Sequence, residues 1–339
     1  MSLTSEDSVV LLDHGTGAKL SKELIALIAS DLGDAYIGAM EDSAVIDLPS
    51  QRIAMTTDSF VAEPYIFGNG DIGKIAVCGT VNDLAVMGAK PLYLTLALIL
   101  EAGLSIADLR KILASIRETA LEADVKIVAG DTKVVRKGEA DGIFINTTGI
   151  GVFERQPLAM KNIAPDDVVI LSGPIGNHSI HLLSIREGLG FETRVLSDCA
   201  PLNGLLETLL GEEAHGIKSI RDVTRGGLAA VLHEYAQSAD LNIQFYKSKL
   251  PIQHETLMAT DMLGVDVLNL ANEGCLCIFT SPERADETLS RLREHRYGRG
   301  AVIIGAVSRQ PGGFVEAIQP DGTTRRLEEL AGAELPRLC

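Results

Sequence analysis

No stretch of this sequence stays apolar long enough to cross a membrane. The longest apolar run, Leu92 to Leu100, is interrupted by Tyr93 and Thr95 and falls well short of the ~20 residues a spanning helix needs. The opening residues, Met1-Ser2-Leu3-Thr4-Ser5-Glu6-Asp7, lack the basic end and apolar stretch of a secretion signal, so a cytoplasmic protein without a membrane partner is expected. Basic residues are scarce as well: 30 Lys and Arg against 46 Asp and Glu leave a formal net charge of −16. That balance argues against nucleic acid as a partner, because sequence-independent binding needs a basic surface to replace counterions. It does not forbid phosphate chemistry, since carboxylates hold magnesium and magnesium holds phosphates.

The five cysteines are an odd number without disulfide-framework spacing, which agrees with a reducing compartment. Cys275 and Cys277 sit two apart and would share one face of a strand. With no second cysteine pair, they read as buried small hydrophobes rather than metal ligands. His14, His178 and His181 lack convincing ligand spacing and read as structural, His14 lying among glycines that let backbone amides approach an anion. The Walker P-loop and the Gly-x-Ser-x-Gly nucleophile elbow are absent. Gly68-Asn-Gly-Asp-Ile-Gly73 has the letters of a dinucleotide fingerprint, but Glu63-Pro64 stands where its preceding strand belongs, so the required context is missing.

What is present is an α/β pattern. At 339 residues, with 46% hydrophobic residues and 33 glycines, the chain suits two packed domains. Apolar spacing predicts helices over 21–32 and 71–87, with Gly88 and Pro91 closing the second. A strand is expected over 92–100. Ser105-Ile106-Ala107-Asp108 is a capping box that opens a helix to about Ala123. β-branched runs predict strands at 125–129 and 143–153, and turn chemistry over 155–167 marks a boundary. Beyond it, strands are expected at 168–172, 242–246, 275–280 and 301–307, and helices at 176–188, 227–239 and 282–295. Gly312-Gly313 and Asp321-Gly322 look like turns of a terminal hairpin. Domains of 1–155 and 156–326 follow, with a flexible tail, 327–339.

The tail ends in Pro336-Arg337-Leu338-Cys339. A terminal cysteine is either a frayed end or a thiol placed to react, and prenylation does not explain it, because that motif sets the cysteine fourth from the end. A ten-residue tail reaches about 35 Å at ~3.5 Å per extended residue, enough to enter a cleft elsewhere. Five acidic motifs supply context: Glu41-Asp42-Ser43-Ala44-Val45, Thr56-Thr57-Asp58-Ser59, Val81-Asn82-Asp83-Leu84, Gly130-Asp131-Thr132-Lys133 and Asp222-Val223-Thr224-Arg225-Gly226-Gly227. Singly, each aspartate reads as a cap or turn residue. Together, several of them follow strand-like stretches, on the rim where α/β proteins bind ligands, and hard oxygen donors suit magnesium and nucleotide phosphates. Taken alone, Lys133 reads as a solvated surface lysine and Glu273 as a cap.

These motifs, with Asp13-His14-Gly15-Thr16-Gly17, Gly70-Asp71-Ile72-Gly73, Asn82 to Ala89, Gly130-Asp131-Thr132-Lys133-Val134-Val135 and Asn272-Glu273-Gly274, resemble the PurM-like ATP-binding superfamily over nearly the whole chain. The Lys133 stretch and the terminal Pro-Arg-Leu-Cys resemble, within it, the HypE family of hydrogenase maturation proteins. Ala18 departs from the family's glycine-rich loop. The resemblance implies a two-domain PurM-like fold whose N-terminal domain dimerises through its sheet, with ATP bound between the domains. It implies that a carbamoyltransferase, HypF, loads a carbamoyl group onto the Cys339 sulfur, that ATP drives its dehydration to an S-cyanate, and that a HypC-HypD scaffold receives the cyano group as an iron ligand of [NiFe]-hydrogenase. By the family pattern Asp42, Asp58, Asp83 and Asp222 would hold magnesium and, with Asp131, the ATP phosphates. Lys133 would polarise the carbamoyl oxygen or stabilise developing phosphate charge, and Glu273 would accept protons. The competing expectation is a ligase or kinase of the same superfamily acting on a free small molecule; a non-catalytic nucleotide-binding carrier is the third.

Overall fold

The computed structural model describes residues 9–15, 19–37, 47–49, 52–211 and 216–329. The described chain divides into two compact units: one runs to Glu154 without Ala85–Gly88, and the other comprises Ala85–Gly88 and the described residues from Arg155 on. The α/β expectation holds in both. Among the described residues no helix is long and apolar enough to cross a membrane.

In the first unit the elements run α1 (Lys19–Leu32), β1 (Ile53–Phe60), α2 (Ile72–Val86), β2 (Lys90–Glu101), α3 (Ile106–Glu122), β3 (Lys126–Val135) and β4 (Ile143–Val152). The sheet order is β1-β4-β2-β3. β4 is antiparallel to both neighbours, and β3 is parallel to β2 through the α3 crossover. Half of the capping box forms: Ser105 accepts the Asp108 N–H at 3.4 Å, while the Asp108 carboxylate accepts from Lys111 Nζ at 3.1 Å. Helix α2 is apolar on nearly every side, burying Ile72, Ile75, Ala76, Val77, Cys78, Val81 and Leu84, the pattern of a helix enclosed by its unit. It passes α3 so closely that a Cβ on Gly73 would lie 2.7 Å from the Ile112 carbonyl oxygen.

In the second unit β5 (Val168–Leu171), α4 (Asn177–Glu187), α5 (Asn203–Leu209), β6 (Ile217–Asp222), α6 (Gly227–Ala239), β7 (Leu241–Tyr246), α7 (His254–Leu263), β8 (Leu276–Thr280), α8 (Ala285–Glu294), β9 (Val302–Pro311), β10 (Val315–Ile318) and β11 (Thr324–Arg326) follow in turn. They build one sheet in the order β11-β10-β7-β9-β5-β8-β6. Strand β8 is buried at every position, and both Cys275 and Cys277 are core residues.

Two expectations are corrected. Gly130-Asp131-Thr132-Lys133 is not a turn but the middle of β3, because pairing with β2 continues from Lys126 to Val135. Gly130 permits it: a Cβ there would lie 2.6 Å from the Leu96 carbonyl oxygen. Nor do the glycines at 312–313 close a hairpin, since β7 lies between β9 and β10 in the sheet. Asp321-Gly322 does close one, between β10 and β11. Helices α5 and α7 and strands β1 and β6 complete the fold beyond the elements read from sequence.

Asp71 ties α2 to its unit. Its Oδ1 accepts the Lys74 N–H at 3.0 Å in the manner of a helix N-cap, and its Oδ2 accepts the Ser115 hydroxyl of α3. Burial raises its carboxyl pKa above the ordinary aspartate value. A carboxyl raised on folding favours the native state below its unfolded pKa, and that contribution is lost as pH climbs through the folded value. Replacing Asp71→Ala is expected to cost about 1–2 kcal/mol, the usual worth of a cap. Asp71→Asn should cost less, with a deficit that shrinks from mildly acidic to neutral pH; urea unfolding across pH measures both.

Candidate functional site

A strand exposes alternate residues on one face, so Thr56 and Asp58 of β1 point the same way, toward α2. Thr80 and Asp83, three apart on α2, meet them crosswise. The Thr80 hydroxyl donates to Asp58 Oδ2 at 3.2 Å, and the Thr56 hydroxyl to Asp83 Oδ2 at 2.9 Å. Behind them, Thr80 Oγ1 lies 2.5 Å from Thr147 Oγ1, and Thr147 donates to the Ala76 carbonyl at 3.1 Å. Asp58 and Asp83 are thus brought together, each oriented by a hydroxyl from the opposite element. Sequence reading singled out the two aspartates and missed the threonines. Their signal was the repeat of a hydroxyl two or three residues before each acid.

Asp131 and Lys133 are not brought to that pair within the unit. Their β2 partners are Ala97 and Ile99, so strand alternation turns them to the sheet face away from α2. They stand on β3 at one edge of the sheet and Asp58 on β1 at the other, three strand spacings or about 14 Å apart. Both are open, at 61% and 65% exposure, with Lys133 Nζ 2.6 Å from Asp131 Oδ1. The lysine's hydrogen bonds hold the Asp131 carboxyl below its ordinary pKa. The same face carries exposed Ile53, Met55 and Ile99 and a ladder of hydroxyls and amides in which Thr148 bonds Thr57 at 3.0 Å and Asn146 bonds the Asp58 carbonyl at 2.8 Å.

The second unit gathers Asp222 and Glu273 at one end of its sheet. Asp222 is the last residue of β6 and pairs with Leu276, three residues after Glu273. Both acids are largely buried, at 7% and 4% exposure. After Asp222 the chain turns through Gly226 (φ 78°) and Gly227 (φ 63°) into α6. A Cβ on Gly227 would lie 2.4 Å from the Leu268 carbonyl oxygen, which explains the Gly226-Gly227 pair. Asn272 holds the neighbouring loops: its Oδ1 accepts the Gly176 N–H at 2.7 Å, and its Nδ2 donates to the Val223 and Leu270 carbonyls at 2.9 and 3.2 Å.

Each of the three histidines is held at its Nδ1. His14 Nδ1 accepts the Leu11 N–H at 3.0 Å, His178 Nδ1 pairs with Ser197 Oγ at 2.8 Å, and His181 Nδ1 with the Val195 carbonyl at 2.8 Å. Asp42, Ala18 and Cys339 lie outside the described residues.

The model of the N-terminal domain of AIR synthase related protein matches residues 40–153, and that of its C-terminal domain matches residues 164–318. Carbamoyl dehydratase HypE of Bradyrhizobium diazoefficiens is 40% identical over 339 residues, spanning 99% of this chain and 98% of its own. A crystal structure of the hydrogenase maturation protein HypE in complex with ATP superposes with a TM-score of 0.92 at 39% identity, over 97% of this chain and 99% of that one. A chain from a HypE-HypF complex superposes with a TM-score of 0.78 at 45% identity, over 92% of this chain and all of its own.

Cys78, Cys199, Cys275 and Cys277 are all buried, and burial pushes the Cys275 thiol up to about 12. Since the thiolate is the reactive form, alkylation of the folded protein at mildly alkaline pH is expected to label no more than one of the five cysteines, found on the C-terminal peptide. Unfolding should release all five, counted by mass spectrometry.

Proposed function

The chain belongs to the AIR synthase related family and, within it, to the HypE proteins of hydrogenase maturation, and from that premise we propose that it dehydrates a carbamoyl group carried on its own Cys339. The activity is that of a carbamoyl dehydratase, an enzyme. ATP is its co-substrate, as supported by the ATP complex of a structure sharing 39% identity over 97% of this chain. The family assignment favours this reading over a kinase or ligase of a free small molecule. HypF is the donor of the carbamoyl group, in keeping with the HypE-HypF complex of a matching chain. The HypC-HypD scaffold is the acceptor of the cyano group, and the cytoplasm is where the exchange takes place.

The chemistry starts from a poor leaving group. The carbamoyl oxygen of Cys339–S–C(=O)–NH2 does not depart as hydroxide, so it attacks the γ-phosphorus of ATP and releases ADP. Loss of one nitrogen proton accompanies formation of the C=N bond. Breaking of the C–O bond then expels phosphate as the second nitrogen proton leaves, giving Cys339–S–C≡N. Glu273 is the proton acceptor, carried three residues ahead of β8 in a mostly buried setting. Lys133, highly exposed, supplies positive charge to the phosphoryl oxygens.

Asp58 and Asp83, with Asp42 and Asp222, are the carboxylates that would hold magnesium, whereas Asp131 and Lys133, on the other sheet face and three strands away, would meet the ATP phosphates of a second copy paired through that face. Hard carboxylate oxygens fit that ion. Among the described residues no three such groups form a ready-made cage, and the substrate's phosphates would complete the ion's shell. Bound there, magnesium would offset phosphate charge. The open sheet face bearing Ile53, Met55 and Ile99 is the surface through which two copies would pair, since large exposed apolar side chains on one sheet face seek cover.

The observation that carries the reading is the family's acidic pattern together with the terminal cysteine. After incubation with HypF, carbamoyl phosphate and ATP, the C-terminal peptide should lose the mass of one water from carbamoylated Cys339. Lys133→Ala and Glu273→Gln should each slow that loss about a hundredfold, the scale of removing one group that stabilises or deprotonates the transition state. Conversion at the wild-type rate in both variants would contradict the assignment.

A further inference from the structure

Glu273 sits in an irregular stretch ahead of β8 and has no helix or strand of its own to fix it, yet it is held on every side. Its backbone N–H donates to Asp198 Oδ1 at 3.0 Å, and its carbonyl accepts the Ala200 N–H at 3.3 Å. On the preceding side, Asn272 is bonded to two other loops, at Gly176 and Val223, and to the Leu270 carbonyl of its own stretch. On the following side there is no slack, because a Cβ on Gly274 would lie 1.9 Å from the Asp198 carbonyl oxygen. The stretch from Ser197 to Ala200 is itself anchored. Ser197 Oγ accepts the Cys199 N–H at 3.1 Å and pairs with His178 of α4, a fully buried side chain.

From this packing we infer that Asp198 is a positioning residue for Glu273, fixing through the Glu273 N–H where the carboxyl of that residue is presented. The inference depends on Glu273 being the proton acceptor. A base displaced by about an ångström loses a large part of its effect, since proton transfer requires hydrogen-bond distance in the reacting complex. Asp198 touches no reacting atom in this scheme. It acts through the backbone of the residue that does.

The test is single-turnover conversion of carbamoylated Cys339 in the full-length protein, followed over a range of ATP concentrations. Asp198→Ala, which removes the acceptor, should slow conversion at saturating ATP about tenfold or more while leaving the half-saturating ATP concentration unchanged. Asp198→Asn keeps an acceptor oxygen and should restore the rate to within about threefold of wild type. A wild-type rate in Asp198→Ala, an Asn variant as slow as the Ala variant, or a loss expressed in half-saturating ATP would each overturn the role. If Asp198→Ala does not fold, as judged by circular dichroism, the Asn variant decides by the same limits. Glu273→Gln in the same assay separates the two ideas. A wild-type rate there refutes the base assignment itself, whereas a slow Glu273→Gln beside a normal Asp198→Ala refutes only the positioning role.

Discussion

A carboxylate that serves an anionic substrate must be held in place without having its charge cancelled. The first unit shows one way to do this, with hydroxyl donors on Asp58 and Asp83. Asp58 and Asp83 are oriented by the hydroxyls of Thr80 and Thr56, so α2 and β1 fix each other's acid. In the second unit the chain around Glu273 is fixed by Asn272 and by a backbone N–H to Asp198. Hydroxyls and amides leave a carboxylate its charge while fixing its direction. Asp131 differs, paired with the Lys133 ammonium on the exposed face.

The rest of the first unit serves that arrangement. The buried Thr80-Thr147 contact and the Thr147 bond to Ala76 place a polar seam under an otherwise apolar helix. Buried hydroxyls left without partners are costly, so these bonds also fix the register of α2 against β4. Asp71 fixes the start of the same helix. Asp83, near the helix's end, is therefore set by contacts spread along its whole length.

Much of this was legible in the sequence, for identifiable reasons. Helices α1, α3 and α6 were readable because an apolar stripe coincides with a cap or with flanking glycines, and α4 from the glycines at its two ends. The aspartates of the site were readable because each recurs beside small or β-branched residues. What escaped was set by long-range pairing. Gly130 to Lys133 has the letters of a turn, yet partnership with β2 keeps it extended. Gly312-Gly313 would close a hairpin were β7 not inserted between the strands. The separation of Lys133 from Asp58 also lies beyond local sequence, since it depends on which strand is neighbour to which. Asp198 was invisible because its meaning comes from a backbone N–H 75 residues away in the chain.

The central claim is chemical: ATP is spent to turn the carbamoyl oxygen of a tethered substrate into a leaving group. Its most direct test is to load Cys339 with a carbamoyl group bearing heavy oxygen, add ATP, and follow the label by mass spectrometry. Transfer through an O-phosphorylated carbamoyl predicts one labelled oxygen in each phosphate released with the S-cyanate. Unlabelled phosphate, with the heavy oxygen appearing in water, would contradict it.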